Sequence, residues 1–551
     1  MKKFSSFFIV IVTCTTIVSV SGCSNSILNE SEITGTVLNS ASEILCSSEE
    51  IILGAKRNNP FNISNSRNIN TKANYVYFRV RTNILENIDL IEKNLGDLNT
   101  EPLDYEIKEG GCSFDQNKGT DGFSPWFYSM TPLEKYNEIK DLGETEIIEK
   151  MYLSDEDVLK LTEIDDAAAE AESRILWISY KKVKPCGHIY FHDEVKNLNT
   201  PLRNVKVTVS QWCHVKSVYT DDNGYYDIGE NFTSCWQNTA NIKITFESKT
   251  DSIYDEFAVA KAYYKTGDVS ISDLRNNDIT FSANTKQNNY SVMINAATEY
   301  RKYAKEDGIT QPSNIKFWAC TQMSGGLTLM QDVIIADSAF IGSVIGTGIL
   351  PGAGTAIGTL TGATLATYFP DIFISLQPSN RTQTEKITEI VFHEMAHASH
   401  FFGIGAGAIT YWNKEYLEML DGWCEVLANG GSVQKDCYNN GESKQVCHIE
   451  SWAYFYGYLL TKRYFEGFNS YYNYHNVLLD EDNKRDDYYF YYPAFYILYT
   501  KKILSISQIF APYRKYLVQS ASNWYDSLND IYDSLDFEEI KKTLQDKGAS
   551  L

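Results

Sequence analysis

Hydrophobic and polar positions recur along this chain with two different periods, and the switch between them marks its organisation. Between residues 186 and 283 the period is two. Val205, Val207 and Val209 alternate with Lys206 and Thr208, and Ile242, Ile244 and Phe246 alternate with Lys243 and Thr245. That spacing predicts half-buried strands, with the "DDNG" at 221–224 as a tight turn, and together they read as a β-sandwich. Upstream, the strand-like "YVYFRV" at 75–80 precedes Ile84, Ile88, Ile91 and Leu95 at helical spacing. A small α+β unit over 71–184 is expected there. From residue 288 to the end the pattern is mainly helical, so the fold class is multidomain α+β. Ile387, Ile390 and Val391 fall on one face of a helix over 385–402, which holds no Gly or Pro.

Two segments of the helical part stand out. Residues 338–370 form 33 consecutive uncharged positions with seven glycines, among them Gly354, Gly358 and Gly362. A membrane span needs about 20 apolar residues, but "LPGAG" at 350–354 splits this run into legs of about 13, or about 20 Å as helix. A buried hairpin or a Gly-rich loop is the preferred reading. The second segment, 471–499, is dense in tyrosine and reads as helices packing with wet hydroxyl tips or as a cleft wall.

Composition narrows the function classes. The chain of 551 residues carries 71 acidic and 49 basic side chains, a net charge of −22. No run of Lys or Arg could track a phosphate backbone, so nucleic acid is excluded as a partner. The first 23 residues, "MKKFSSFFIVIVTCTTIVSVSGC", have a basic start, an apolar run and small residues before Cys23. "VSGC" resembles the lipobox of bacterial lipoproteins, which implies a signal peptide over 1–22 and lipidation of Cys23. The mature chain would then be anchored to a membrane, at the outer membrane or cell surface, by a tether over 23–70. Of the eleven cysteines, nine remain after Cys14 and Cys23, and an odd number leaves at least one thiol. Cys437 with Cys447, and Cys213 with Cys235, are the plausible local pairs.

"GHIYF", "TPLRNVKVTV" and "YTDDNGYYDI", in that order, resemble the carboxypeptidase regulatory-like domain over about 60 to 95 residues. The resemblance implies a folding or positioning role beside an enzyme. The same module contains Cys186, His188, His192, Cys213 and His214, and His188 and His192 share a strand face. Ordinary strand residues are preferred over a second metal site, because no compact ligand spacing sits on a turn or helix.

The chemistry is concentrated in "EIVFHEMAHASHFFG" at 389–403. His393 and His397 are four apart on one helix, so both imidazoles project from one face and can chelate a single ion. Glu394 then lies beside the open position as general base for an attacking water. This is the HExxH arrangement, which with eight histidines in 551 residues arises by chance on the order of 0.01 times per chain. A third ligand is needed. His400 is on the same face as His393, but seven residues along an unbroken helix is about 10.5 Å, too far for one ion. Metzincins use HExxHxxGxxH, and here 400 is His and 403 is Gly, so that family is excluded.

A glutamate from a later helix remains, and the candidates are Glu450 and Glu425. Glu450 is preferred because it opens a long aromatic helix just after Cys447. Glu425, near a helix end before "NGG", is the alternative.

"PDIFISL", "VFHEMAHASHFF" and "ESWAYFYGY" together resemble the gluzincin-type zinc metallopeptidases found as bacterial surface lipoproteins, over about 260 residues. The resemblance implies a zincin catalytic domain over 288–551 with one catalytic zinc held by His393, His397 and Glu450, and Glu394 as base. It also implies that the strand before the helix, Asp371 to Leu376, lines the cleft and pairs with substrate. The oxyanion donor is open among His475, Tyr472 and Tyr474. The expected function is peptide-bond hydrolysis of a protein or peptide substrate. Two other classes compete: a surface lipoprotein that captures peptide or glycan without catalysis, and a zinc hydrolase of another substrate. An intact Glu394 argues against the first.

Overall fold

The computed structural model describes residues 50–63, 72–82, 84–114, 125–154, 181–235, 237–255, 260–321, 325–336, 370–378, 381–416, 444–471, 492–549 and 551. The architecture is multidomain α+β, with β-sheets in the amino-terminal and middle parts and a mainly helical carboxy-terminal region. Two compact units are present. Among the described residues the first takes 50–193 and Leu198–Asn295, and the second takes Glu194–Asn197 and Ala296–Leu551. No described helix is long and apolar enough to cross a membrane.

In the first unit the amino-terminal elements are β1 (Ile52–Lys56), β2 (Tyr75–Arg81), α1 (Leu85–Leu95), β3 (Tyr105–Glu109), β4 (Phe127–Pro132), α2 (Leu133–Ile139) and β5 (Glu144–Met151). β2 lies between β4 and β5, antiparallel to both, and β1 pairs with β3. The middle elements follow as β6 (Lys182–Val183), β7 (Cys186–Asp193), β8 (Leu198–Pro201), β9 (Lys206–Gln211), β10 (His214–Tyr219), β11 (Tyr225–Asp227), β12 (Phe232–Thr233), β13 (Thr239–Thr245), β14 (Asp251–Asp255), β15 (Tyr263–Lys265), β16 (Val269–Ser270) and β17 (Ile279–Phe281). One sheet runs β10-β9-β13-β15, and a second runs β11-β7-β17. The two meet through aromatic rings: Phe246 and Tyr264 lie 5.7 and 5.3 Å from Phe281.

The "DDNG" turn forms between β10 and β11. Asp221 Oδ1 accepts from the amides of Asn223 and Tyr225, and Gly224 takes φ +72°, where a Cβ would fall 2.5 Å from Ile189 O. Only glycine fits that position.

The polar face of β9 and β13 departs from a half-buried strand. Val205, Val207, Val209, Ile242 and Ile244 are fully buried as the alternation predicts, but Thr208, Lys243 and Thr245 are buried as well. The amino-terminal elements cover this face. Lys243 Nζ donates to Asp97 Oδ1 at 2.8 Å, Lys206 pairs with Glu92 at 3.3 Å and with Glu247 at 3.0 Å, and Lys265 pairs with Glu101. A buried ammonium without a carboxylate would be costly, which explains the matching of charges across the layer.

The expected bridge from Cys213 to Cys235 is not formed. Cys213 is a thiol packed with Tyr75, Leu103 and Trp126 on the apolar cluster of Phe61, Tyr77, Tyr128 and Met130. Burial pushes this thiol up to about 12, far from the reactive range. Cys437 lies outside the described residues.

α3 (Lys286–Glu306) contains the boundary between the units, at Asn295 and Ala296. The second unit continues with β18 (Ile315–Cys320), β19 (Gly326–Thr328), α4 (Gln331–Ala336), β20 (Ile372–Ser375), α5 (Gln383–Ile404), α6 (Lys444–Tyr464), α7 (Tyr492–Thr500), α8 (Ile506–Lys515), α9 (Ala521–Ile531) and α10 (Phe537–Asp546). β20 is parallel to β18 on one side and antiparallel to β19 on the other. This corrects the substrate pairing expected for Asp371 to Leu376. With both edges bonded, β20 has no free backbone groups for a substrate, and β19 is the terminal strand of that sheet among the described residues. The Gly-rich run 338–370 falls outside the description, apart from Pro370.

Candidate metal centre

α5 is the central helix of its unit. Thr382 caps its amino end by accepting from the Glu385 amide, and every residue from Thr384 to Phe401 is buried. A helix buried on all sides is wrapped by other elements, and three contacts pin its first turns. Glu194 accepts from the Thr384 amide at 3.1 Å, Ser470 Oγ donates to Glu385 at 2.6 Å, and Arg381 pairs with Glu389 at 2.6 Å. The helix is unbroken from Gln383 to Ile404, so His393 and His397 project from one face a turn apart.

α6 brings the third group. It packs against α5 closely because Gly457 has no side chain: a Cβ there would fall 2.9 Å from His393 Cα. Trp452 Nε1 donates to Ala396 O at 3.1 Å and fixes the register of the pair. Glu450, seven residues before Gly457, faces the two histidines. His393 Nε2 lies 3.3 Å from Glu450 Oε2, His397 Nε2 lies 3.5 Å from Glu450 Oε1, and the two Nε2 atoms are 3.1 Å apart. A tetrahedral ion with bonds of about 2.1 Å has ligand atoms about 3.4 Å from one another. The spacing therefore suits one small divalent cation, and the donor set of two imidazoles and a carboxylate suits zinc. Among the described residues this is the one group of three such side chains whose ligand atoms lie within 4.8 Å of one another.

The electrostatics point the same way. Burial by itself raises the Glu450 carboxyl, but His397 and His393 outweigh it and hold it well below the usual carboxylate range. Burial disfavours the His397 cation, yet Glu450, with Glu394 and Glu415, overrides that and lifts it to about 9.

Glu394 is fully buried beside this triad. Thr328 Oγ1, on β19, donates to Glu394 Oε2 at 2.7 Å and lies 3.1 Å from the Glu394 carbonyl. Glu394 Oε1 has no hydrogen-bond partner among the described residues. Burial raises the Glu394 carboxyl, opposed by His393, His397 and Thr328. A carboxylate poised in this way is suited to take and return a proton.

Of the two candidate third ligands, Glu450 is the one placed against the histidines. Glu425 lies outside the described residues, as do Cys23, His475, Tyr472 and Tyr474. His400 is not near Glu450 but is buried among Tyr411, Trp412 and Tyr513, at ring distances of 5.5, 5.6 and 4.6 Å. Burial first, then His448 and His397, push it well below the ordinary imidazole value, so it packs as a neutral aromatic group.

In the first unit, Cys186, His188 and His192 share the outer face of β7 as period two predicts, but they do not converge. His188 pairs with Asp278 at 3.3 Å, and His214 with Glu230 at 3.5 Å.

Sequence reasoning missed Gly326, Thr328 and Gly457. A lone glycine inside the aromatic helix "ESWAYFYGYLL" was a usable signal for the third, since glycine mid-helix costs stability and marks close approach. "GLT" at 326–328 carried none. Comparison with family models, with curated proteins and with solved structures finds no match to this chain.

Proposed function

We propose that this protein is a zinc-dependent peptidase, anchored at a bacterial surface through lipid on Cys23 and acting as an endopeptidase on protein or peptide substrates. The observation that carries this reading is the convergence of His393, His397 and Glu450 at 3.1 to 3.5 Å with Glu394 buried alongside. A triad alone would serve binding. The adjacent carboxylate is what hydrolysis requires. The resemblance to gluzincin-type metallopeptidases supports the same assignment.

His393, His397 and Glu450 would hold the ion, which supplies Lewis acidity toward a water and a carbonyl oxygen. Glu394 accepts the proton as the water attacks the peptide carbonyl, then hands it to the departing amine. Burial keeps bulk water from competing for that proton. Support for a peptide substrate comes from β19, which borders Glu394 through Thr328 and ends its sheet among the described residues. An extended backbone can pair with such an edge.

The test is elemental analysis of the chain lacking the signal and lipid cysteine, together with Glu394→Gln. About one zinc per chain, retained in Glu394→Gln while casein hydrolysis disappears, is the expected result. Absence of zinc, or a Glu394→Gln variant with near-normal hydrolysis, would exclude this mechanism.

A further inference from the structure

Strand β19 contacts the Glu394 side chain through both Thr328 and Gly326. In a strand, residues two apart face the same way, so Gly326 and Thr328 both turn toward α5 while Leu327 turns away. Their contacts with Glu394 divide its two oxygens. Thr328 Oγ1 donates its one proton to Oε2 at 2.7 Å, the shorter of its two contacts with Glu394; the main-chain oxygen lies 3.1 Å away. Oε1 accepts no hydrogen bond among the described residues and is buried.

Gly326 explains why the carboxylate can occupy this position. A Cβ at 326 would fall 2.4 Å from Glu394 Oε1, 2.6 Å from its Cγ and 2.6 Å from Ile390 Cγ2. Real Cβ atoms do not approach that closely, so any larger residue at 326 displaces the carboxylate or the strand. β19 also pairs with β20 through Gly326↔Ile374 and Thr328↔Ile372, which fixes both residues relative to the sheet. The strand is therefore a rigid support.

We propose that Gly326 and Thr328 are positioning residues that select Glu394 Oε1 as the working base, with Thr328 occupying Oε2 and Gly326 leaving room for Oε1. This rests on the peptidase reading and adds to it two residues from a strand that carries no metal ligand. A buried carboxylate with both oxygens unheld has several rotamers of similar energy, and a general base must lie within hydrogen-bond reach of the proton it takes. A hydroxyl on one oxygen removes that freedom without adding charge.

Thr328→Val keeps the shape and removes the hydroxyl, Thr328→Ser restores it, and Gly326→Ala intrudes on Oε1. Each would be made in the full soluble chain, loaded with zinc for kinetics on fluorescein-labelled casein and with cobalt(II) for its visible spectrum. For Thr328→Val, kcat should fall about ten- to a hundredfold with KM unchanged. Its metal stoichiometry and cobalt spectrum should match the parent, because the ligands are untouched. Thr328→Ser should recover to within about threefold of the parent. Gly326→Ala should keep its cobalt spectrum and lose at least as much kcat as Thr328→Val.

An unchanged kcat in Thr328→Val overturns the inference. So does an altered cobalt spectrum, which would mean that Thr328 acts through the ligands, or a Thr328→Ser variant as impaired as valine, which would mean a packing role. A parent chain that takes up neither zinc nor cobalt fails earlier, and overturns the peptidase reading and this inference together.

Discussion

Gly457 on α6 lies against the backbone of His393 on α5, where an added Cβ would sit 2.9 Å from His393 Cα, 3.0 Å from its amide nitrogen and 3.2 Å from its Cβ. The contact is between main chains, so no side chain can swing aside to relieve it. Gly457→Ala should therefore push α6 away from α5 and carry Glu450 with it. The expected cost is about 1 to 3 kcal/mol of stability together with weakened zinc binding. Chemical denaturation and a zinc titration with a competing chelator measure the two effects. A variant as stable as the parent, with unchanged affinity, would show that the helices do not meet there.

Glu450→Gln keeps the shape of the side chain and removes its charge. Zinc content should fall from about one per chain to near zero. In the metal-free protein, the substitution also leaves the buried His397 cation without its carboxylate, a loss of about 3 to 5 kcal/mol for a broken buried pair. Glu425→Gln should retain the metal. Elemental analysis of the two variants side by side checks the assignment, and metal lost from Glu425→Gln but kept in Glu450→Gln would reverse it.

Metal uptake should depend on pH in a definite direction. In the metal-free chain His397 is lifted to about 9, because Glu450, Glu394 and Glu415 together outweigh burial. A metal takes the neutral imidazole, so binding below pH 9 must expel that proton. The apparent zinc affinity should rise about tenfold per pH unit from pH 6 toward 9 and then level off. Competition with a chromophoric chelator across this range, corrected for the chelator's own protonation, reads the slope. A flat profile would mean that His397 is neutral before zinc arrives.

All three ligands belong to the unit of Ala296–Leu551, so metal removal should destabilise that unit selectively. At free zinc a hundred times Kd, the bound ion contributes about 2.7 kcal/mol to the unit that holds it. Scanning calorimetry before and after chelation should move one transition and leave the transition of the β-rich unit in place. A uniform shift of the whole trace would contradict the confinement of the site to one unit.

Much of the candidate site was legible from spacing alone. His393 and His397 share a helix face because four residues make about one turn, and Glu394 follows from adjacency, so these depend only on local geometry. The fold class and the strands through Val205, Val207, Val209, Ile242 and Ile244 were legible for the same reason, since period two reports one buried face. What local period cannot report is the far partner of an element. The burial of Lys243 depended on Asp97 arriving from 146 residues away. The rank of β20 as an interior strand depended on β19 folding back beside it. Glu450 was named from its helix, but its distance to the imidazoles, the glycine contact at 457 that permits it and the Thr328 hydroxyl on Glu394 are set by tertiary packing. Close approach between main chains leaves almost no mark on a sequence beyond the absence of a side chain, and absence alone does not say what lies opposite.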